Sequence, residues 1–157
     1  MTSEGLTFVD TNVLVYAHDQ SESLRQPLAE AALRQLWDSR TGVLSTQILQ
    51  EFYVVATRKL DPPMSRRAAR EVVGLYAAWA LVQVDAALIL TASELEESHQ
   101  LSFWDALVVE AARRAGATRL LTEDLQDGLV IGDVRIENPF RSELAHGESN
   151  IDPTVAE

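Results

Sequence analysis

Apolar residues along the chain follow two rhythms. Short, mostly apolar runs at Leu6–Val9, Val43-Leu44, Leu81–Val84 and Thr118–Leu121 have the length and composition of strands. Runs without strict polar alternation suit a parallel sheet covered on both faces. Between them, apolar residues recur every three to four positions, the helical period. Val13–Ala17 predicts a short helix, and a polar break at 19–23 follows. Over Leu24–Arg40 the residues Leu24, Leu28, Ala32, Leu33, Leu36 and Trp37 mark one buried face, and Thr41-Gly42 is the expected stop.

Ser45-Thr46 can cap a helix running to about Lys59. Asp61–Met64 reads as a loop, and Ser65 as the cap of a helix from Arg66 to about Ala80. Ala86–Gln100 is amphipathic, with Leu88, Ile89, Ala92 and Leu95 expected inward. Ser102 and Asp105 have capping-box spacing, with Asp in place of the usual Glu or Gln, and the helix they open should end at Gly116. Val134–Ile136 is expected to be a fifth strand at a sheet edge. Residues 141–157 are polar, contain Gly and Pro, and are expected to form a partly disordered tail.

Strands and helices alternate throughout. Short connections and right-handed crossovers then give a single three-layer α/β/α domain over residues 1–140, with a central parallel sheet. In such a sheet the strand ends and the starts of the following helices share one edge, where ligands bind. Four acids fall there: Asp10 after the first strand, Glu51 in the helix after the second, Asp105 in a helix after the third, and Asp124 after the fourth. Each has a plainer reading. Asp10 and Asn12 suit a helix cap or turn, Asp105 a capping box, and Glu51 an exposed helix surface. Asp124 can be a turn residue, with Glu123 and Asp127 equally placed. Helix-cap or turn chemistry does not require all four to share one edge.

Bulk properties narrow the chemistry. The 157 residues, 46% of them hydrophobic, suffice for one core and exclude a disordered chain. No apolar run is long enough to cross a membrane, and residues 1–5 lack the basic and apolar regions of a secretory leader. The absence of cysteine excludes disulfides, thiolate catalysis and Cys-ligated zinc, and fits a cytoplasmic protein. A net charge of -11 argues against a broad basic nucleic-acid face, while it suits an acidic metal site and a basic protein partner.

Two carboxylates about 5 Å apart repel by roughly 3 kcal/mol at an effective dielectric of ~20. Four together call for a cation. Oxygen donors without Cys or a nearby His select Mg²⁺ or Mn²⁺, ions suited to phosphate chemistry. Thr11, Asn12 and Thr122 can support the acids or hold metal-bound water.

Four blocks in order carry a family likeness: Phe8-Val9-Asp10-Thr11-Asn12, Ser45-Thr46-Gln47-Ile48-Leu49-Gln50-Glu51-Phe52, Leu101-Ser102-Phe103-Trp104-Asp105-Ala106-Leu107, and Leu120-Leu121-Thr122-Glu123-Asp124-Leu125. Together they resemble the PIN-domain family, especially the VapC-like toxins of bacterial toxin–antitoxin pairs. The resemblance spans about residues 6–140. It implies a metal-dependent ribonuclease with Asp10, Glu51, Asp105 and Asp124 as the acidic set, a homodimer, and a cognate antitoxin that blocks the cleft.

Other residues point elsewhere. His18, His99 and His146 are scattered and give no acid–base pair, although His18 is near enough in sequence to Asp10 to reach a substrate. Trp37, Trp79 and Trp104 read as core or dimer contacts before base stacking. Arg66, Arg67 and Arg70 read as a solvated face, and Arg113 with Arg114 as complements to a helix dipole. No Gly-rich phosphate loop is present. Two alternatives remain: a metal phosphohydrolase acting on DNA or small phosphoesters, and a non-enzymatic receiver-like module. The second needs a late-strand lysine, whereas the single lysine, Lys59, falls in a helix.

Overall fold

The computed structural model describes residues 5–141. Its elements are β1 (Thr7–Val9), α1 (Thr11–Ala17), α2 (Arg25–Ser39), β2 (Gly42–Ser45), α3 (Thr46–Arg58), α4 (Arg66–Tyr76), β3 (Ala80–Val82), α5 (Ala86–His99), α6 (Phe103–Arg114), β4 (Arg119–Leu121), β5 (Val130–Ile131) and β6 (Val134–Glu137). They form an α/β fold around one six-stranded sheet in the order β3-β2-β1-β4-β6-β5. All neighbouring pairs are parallel except β5 with β6. β1 and β2 are buried at every position, as short apolar runs in a covered sheet should be.

The chain winds outward from β1 through β2 to β3, then crosses back to β4 on the other side of β1. This reversal puts a topological switch point between β1 and β4. Splayed connections leave a crevice there, beyond the carboxyl ends of the two strands. Register brings the two exits level: Phe8 pairs with Leu120 and Val9 with Leu121. The Asp10 N–H continues the ladder to the Leu121 carbonyl at 3.0 Å.

Helix starts follow local capping chemistry. Ser45, Ser65 and Ser102 accept from Ile48, Ala68 and Asp105 N–H groups, and Asp85 accepts from Leu88. Gly116, at φ 72°, follows the last turn of α6 as expected.

Several details differ from the pattern. The stop after α2 is Arg40, at φ 58°, and not Gly42. Gly42 is needed for space, because a Cβ there would run into the Trp79 ring. Trp79 is also why α4 ends at Tyr76 and not near Ala80. Its ring packs edge-on to Tyr76 at 5.2 Å and to Trp37 at 5.3 Å, while the chain turns into β3. Leu24 lies outside α2 and is exposed, and that helix buries Ala29, Leu33 and Leu36. Ile89 is exposed beside the buried stripe Leu88, Ala92 and Leu95. β6 lies inside the sheet, because the two-residue strand β5 pairs antiparallel with it and forms the edge. The expected polar tail lies outside the described residues from position 142 onward.

Candidate active site at the β1–β4 crevice

Asp10 leaves β1 and occupies the N-cap of α1, where its Oδ1 accepts the Thr11 N–H at 2.7 Å. The cap reading is therefore true of its backbone, and it does not exhaust the side chain. Oδ2 accepts the Thr122 hydroxyl at 2.8 Å, from the residue just past β4. Asp10 is 5% exposed, and Thr122 is fully buried. Burial pushes the Asp10 carboxyl up to about 7; its two hydrogen bonds oppose this, and the charges of Asp124 and Glu51 add to it.

Glu51 is in the second turn of α3 and half-buried. Its Oε2 accepts the Thr11 hydroxyl at 2.5 Å, and its Oε1 accepts the Gln47 amide at 2.9 Å. Asp105 is in the first turn of α6 beside its cap, Ser102. Partial burial raises its carboxyl; the Ser102 hydrogen bond opposes the shift, and Asp124 and Glu51 reinforce it. Asp105 thus combines a place beside its cap with the electrostatic reach of two other acids.

The three acids crowded after β4 separate by their partners. Glu123 accepts the Tyr16 hydroxyl at 2.8 Å and the Arg25 guanidinium at 2.6 Å. Asp127 accepts the Asn138 N–H at 2.8 Å and Arg141 at 3.1 Å. The Asp124 carboxylate makes no hydrogen bond among the described residues, while its N–H is held by the Thr122 hydroxyl at 3.1 Å. Its charge reaches both Asp10 and Asp105.

Glu51 and Asp124 each act electrostatically on both Asp10 and Asp105, which links the four acids pairwise. Among the described residues, no three acidic or histidine side chains close into a ready-made metal cage. The donor chemistry nonetheless fits a hard cation. Every candidate donor is oxygen, and two buried amide oxygens near the acids, Asn12 Oδ1 and Gln47 Oε1, have no hydrogen-bond partner. Asn12 also donates to Thr122 Oγ1 at 3.4 Å, so all three supporting residues touch the acids or one another.

Gln47, Tyr16 and Arg25 were not foreseen as part of this network. Gln47 had a local signal, four residues before Glu51 on one helix. Tyr16 and Arg25 had none, because both meet Glu123 from about a hundred positions away. His18 lies elsewhere, at the far end of α1 against Phe52, and burial pushes its imidazole down. A receiver-like module would also need a free acceptor Asp beyond a central strand; Asp85, after β3, instead caps α5 and pairs with Arg114 at 2.9 Å.

Known proteins share this framework. A M. tuberculosis VapC20 structure, a sarcin–ricin-loop-cleaving toxin, superposes with a TM-score of 0.57 at 23% identity over 73% of this chain and 86% of its own. A toxin–antitoxin complex from Klebsiella pneumoniae gives 0.64 at 17% identity, covering 85% and 98%. VapBC2 of Rickettsia felis, bound to a DNA fragment from its promoter, gives 0.59 at 18%, also covering 85% and 98%. No curated protein sequence matches the chain. The sequence profile described as the PIN domain matches residues 7–126, the span that holds the β1–β4 crevice and all four acids, and the chain belongs to the PIN-domain family.

Proposed function

We propose that the protein is a metal-dependent endoribonuclease and the toxin of a toxin–antitoxin pair. The observation that carries the reading is Asp10, a buried carboxylate at the switch point whose affinity for protons is raised by burial and by two neighbouring acids. Such a group is costly to ionise alone and is stabilised as an anion by a divalent cation. Asp10, Glu51, Asp105 and Asp124 would hold Mg²⁺ or Mn²⁺, which when bound supplies polarisation of the scissile phosphate and an activated water.

The chain's own residues prepare the site. Thr122 and the Thr11 N–H fix both oxygens of Asp10, Thr11 and Gln47 fix both oxygens of Glu51, and Thr122 also orients the Asp124 backbone. Hydrolysis by water would leave a 5′-phosphate and a 3′-hydroxyl, without using the substrate 2′-hydroxyl as nucleophile. The M. tuberculosis relative, a sarcin–ricin-loop-cleaving toxin, supports RNA as substrate, and the two toxin–antitoxin relatives support a cognate antitoxin. That partner would present a basic or aromatic segment to the acidic cleft, and the toxin would act as a cytoplasmic homodimer.

The test is end-mapped cleavage of cellular RNA by the parent and by Asp10→Asn, with DNA and a chromogenic phosphomonoester in parallel. Metal-dependent cuts in RNA with 5′-phosphate ends, absent in the variant, support the reading. Preference for DNA or the monoester would replace it with another phosphohydrolase. Co-expression with the product of an adjacent gene should suppress both cleavage and toxicity.

A further inference from the structure

A groove of about 530 Å³ leaves the acidic crevice along α3. Its lining includes Thr11 and, from α3, Gln47, Gln50, Glu51, Val54 and Val55, with Lys59 at the C-cap of that helix. From Glu51 to Lys59 is eight residues of helix and helix cap, or about 12 Å at 1.5 Å per residue. The lining is completed by Trp104, the residue before Asp105 on α6. Trp104 is 63% exposed, although an indole is among the most costly side chains to leave in water. It is also the odd one among the three tryptophans. Trp37 and Trp79 pack on each other and on Tyr76, whereas among the described residues Trp104 has only Phe103 as an aromatic neighbour, at 5.4 Å.

The lining combines three features. Among the described residues Glu51 is the sole carboxylate on it, in a chain of net charge -11. Its single cation is the chain's only lysine. Its exposed aromatic surface is adjacent to a candidate catalytic acid. A strand of nucleic acid needs a flat surface for a base and a cation for the backbone, and it must avoid carboxylates outside the metal site. A basic protein segment would instead seek carboxylates, which this lining lacks beyond Glu51.

We propose that this groove seats the single-stranded RNA flanking the cleaved bond, with one base stacked on Trp104 and a backbone phosphate against Lys59. The proposal rests on the ribonuclease reading and deepens it, by assigning substrate contacts outside the acidic set. It also explains how so acidic a protein can hold RNA: the contact is local and mostly by stacking. Stacking tolerates every base, so the groove contributes affinity and register more than sequence preference.

The test uses the full chain carrying Asp10→Asn, so that RNA binds without being cut, and a short single-stranded RNA oligonucleotide of mixed sequence. Adding Trp104→Ala should weaken binding by roughly 5- to 150-fold, the range for losing one stacked base, and Trp104→Phe should restore most of it. Lys59→Ala should weaken binding and flatten its dependence on salt. Binding to the parent background should quench tryptophan fluorescence, and that quench should vanish in Trp104→Phe, since Trp37 and Trp79 remain remote in their own cluster. A melting curve checks that each variant folds, which exposure of the replaced side chains favours. Unchanged RNA affinity in Trp104→Ala overturns the proposal while leaving the nuclease reading intact. A change in oligomeric state with unchanged RNA affinity does the same, by making Trp104 a contact between copies. If the background protein binds no RNA at all, the groove proposal falls, while the nuclease reading is decided separately by whether the parent cleaves RNA.

Discussion

The Thr122 hydroxyl donates to Asp10 Oδ2 at 2.8 Å, joining residues 112 positions apart at the ends of two adjacent parallel strands. The same oxygen accepts the Asp124 N–H and the Asn12 amide. One buried hydroxyl thus organises the exits of β1 and β4 and lowers the proton affinity of the most deeply buried acid. Thr122→Val removes all three bonds with little change in volume. It should cost about 1.5–3 kcal/mol of stability, as expected for losing a hydrogen bond to a charged group and leaving donors unpaired. It should also move the acid limb of the pH–rate profile for RNA cleavage to higher pH, because the bond it removes favours the ionised carboxylate. Thr122→Ser should keep the parent profile. An unmoved acid limb in the valine variant would show that Asp10 does not set it.

The raised Asp10 carboxyl makes stability depend on pH. Its folded value is about 7 against an ordinary 3.8, so between these values the folded protein holds a proton that the unfolded chain has released. This contribution is fully present below about pH 4, declines as pH rises, and is lost above about pH 7. Asp10→Asn removes the titration and keeps an acceptor for Thr11. In EDTA, the melting temperature of the variant should therefore gain on that of the parent between pH 4 and pH 7 and stay ahead above it. Parallel thermal melts across this range provide the check, and a constant difference would contradict the burial argument.

Asp105 poses a choice between cap and site. A residue acting only through the helix start should cost stability when replaced, by roughly 0.5–2 kcal/mol, with or without metal. Burial, with the charges of Asp124 and Glu51, raises its proton affinity, so Asp105→Asn should instead stabilise the metal-free fold at pH 8. Mn²⁺ should raise the parent melting temperature by mass action, worth about 2.7 kcal/mol at a hundredfold excess over Kd, and should raise that of Asp10→Asn and Asp105→Asn far less. Equal Mn²⁺ shifts in all three proteins would argue against a shared metal site.

Glu123 and Asp124 are adjacent, yet they should behave differently. Glu123 is tied to Tyr16 and Arg25, so Glu123→Gln or Arg25→Ala should lower stability by about 1.5–3 kcal/mol and leave residual cleavage. Asp124→Asn removes a charge that opposes ionisation of Asp10 and Asp105, so it should leave the metal-free protein at least as stable as the parent and abolish cleavage. Comparing urea midpoints with initial rates separates the two residues, and the reverse pattern would make Glu123 the fourth acid.

Gly42→Ala tests the core. The added Cβ meets the Trp79 ring, itself wedged against Tyr76 and Trp37. Overpacking of this kind costs roughly 1–3 kcal/mol. A matching loss of melting temperature, with no change in the pH dependence of cleavage, is expected; an unaltered melt would mean that the aromatic cluster yields freely.

Much of this architecture is local in origin and so visible in the chain. Short apolar runs such as Phe8-Val9 and Leu120-Leu121 become strands because they are too short for a helix and fit a covered sheet, and serines at 45, 65 and 102 start helices because a hydroxyl satisfies a free N–H wherever it occurs. Alternation of the two element types then determines the parallel sheet, and its shared edge brings the acids into question as a set. Sequence could not reveal that β5, with two residues, supplies the edge beside β6, nor that Trp79 would end α4 early and demand Gly42 beneath it. Nor could it rank Glu123, Asp124 and Asp127, which are chemically alike in one short loop. Their separation comes from Tyr16 and Arg25 on one side and Asn138 and Arg141 on the other, just as the state of Asp10 comes from burial and from Thr122. Periodicity and capping record interactions over three or four residues, whereas these contacts span 11 to 112 and arise only once the sheet has closed on its switch point.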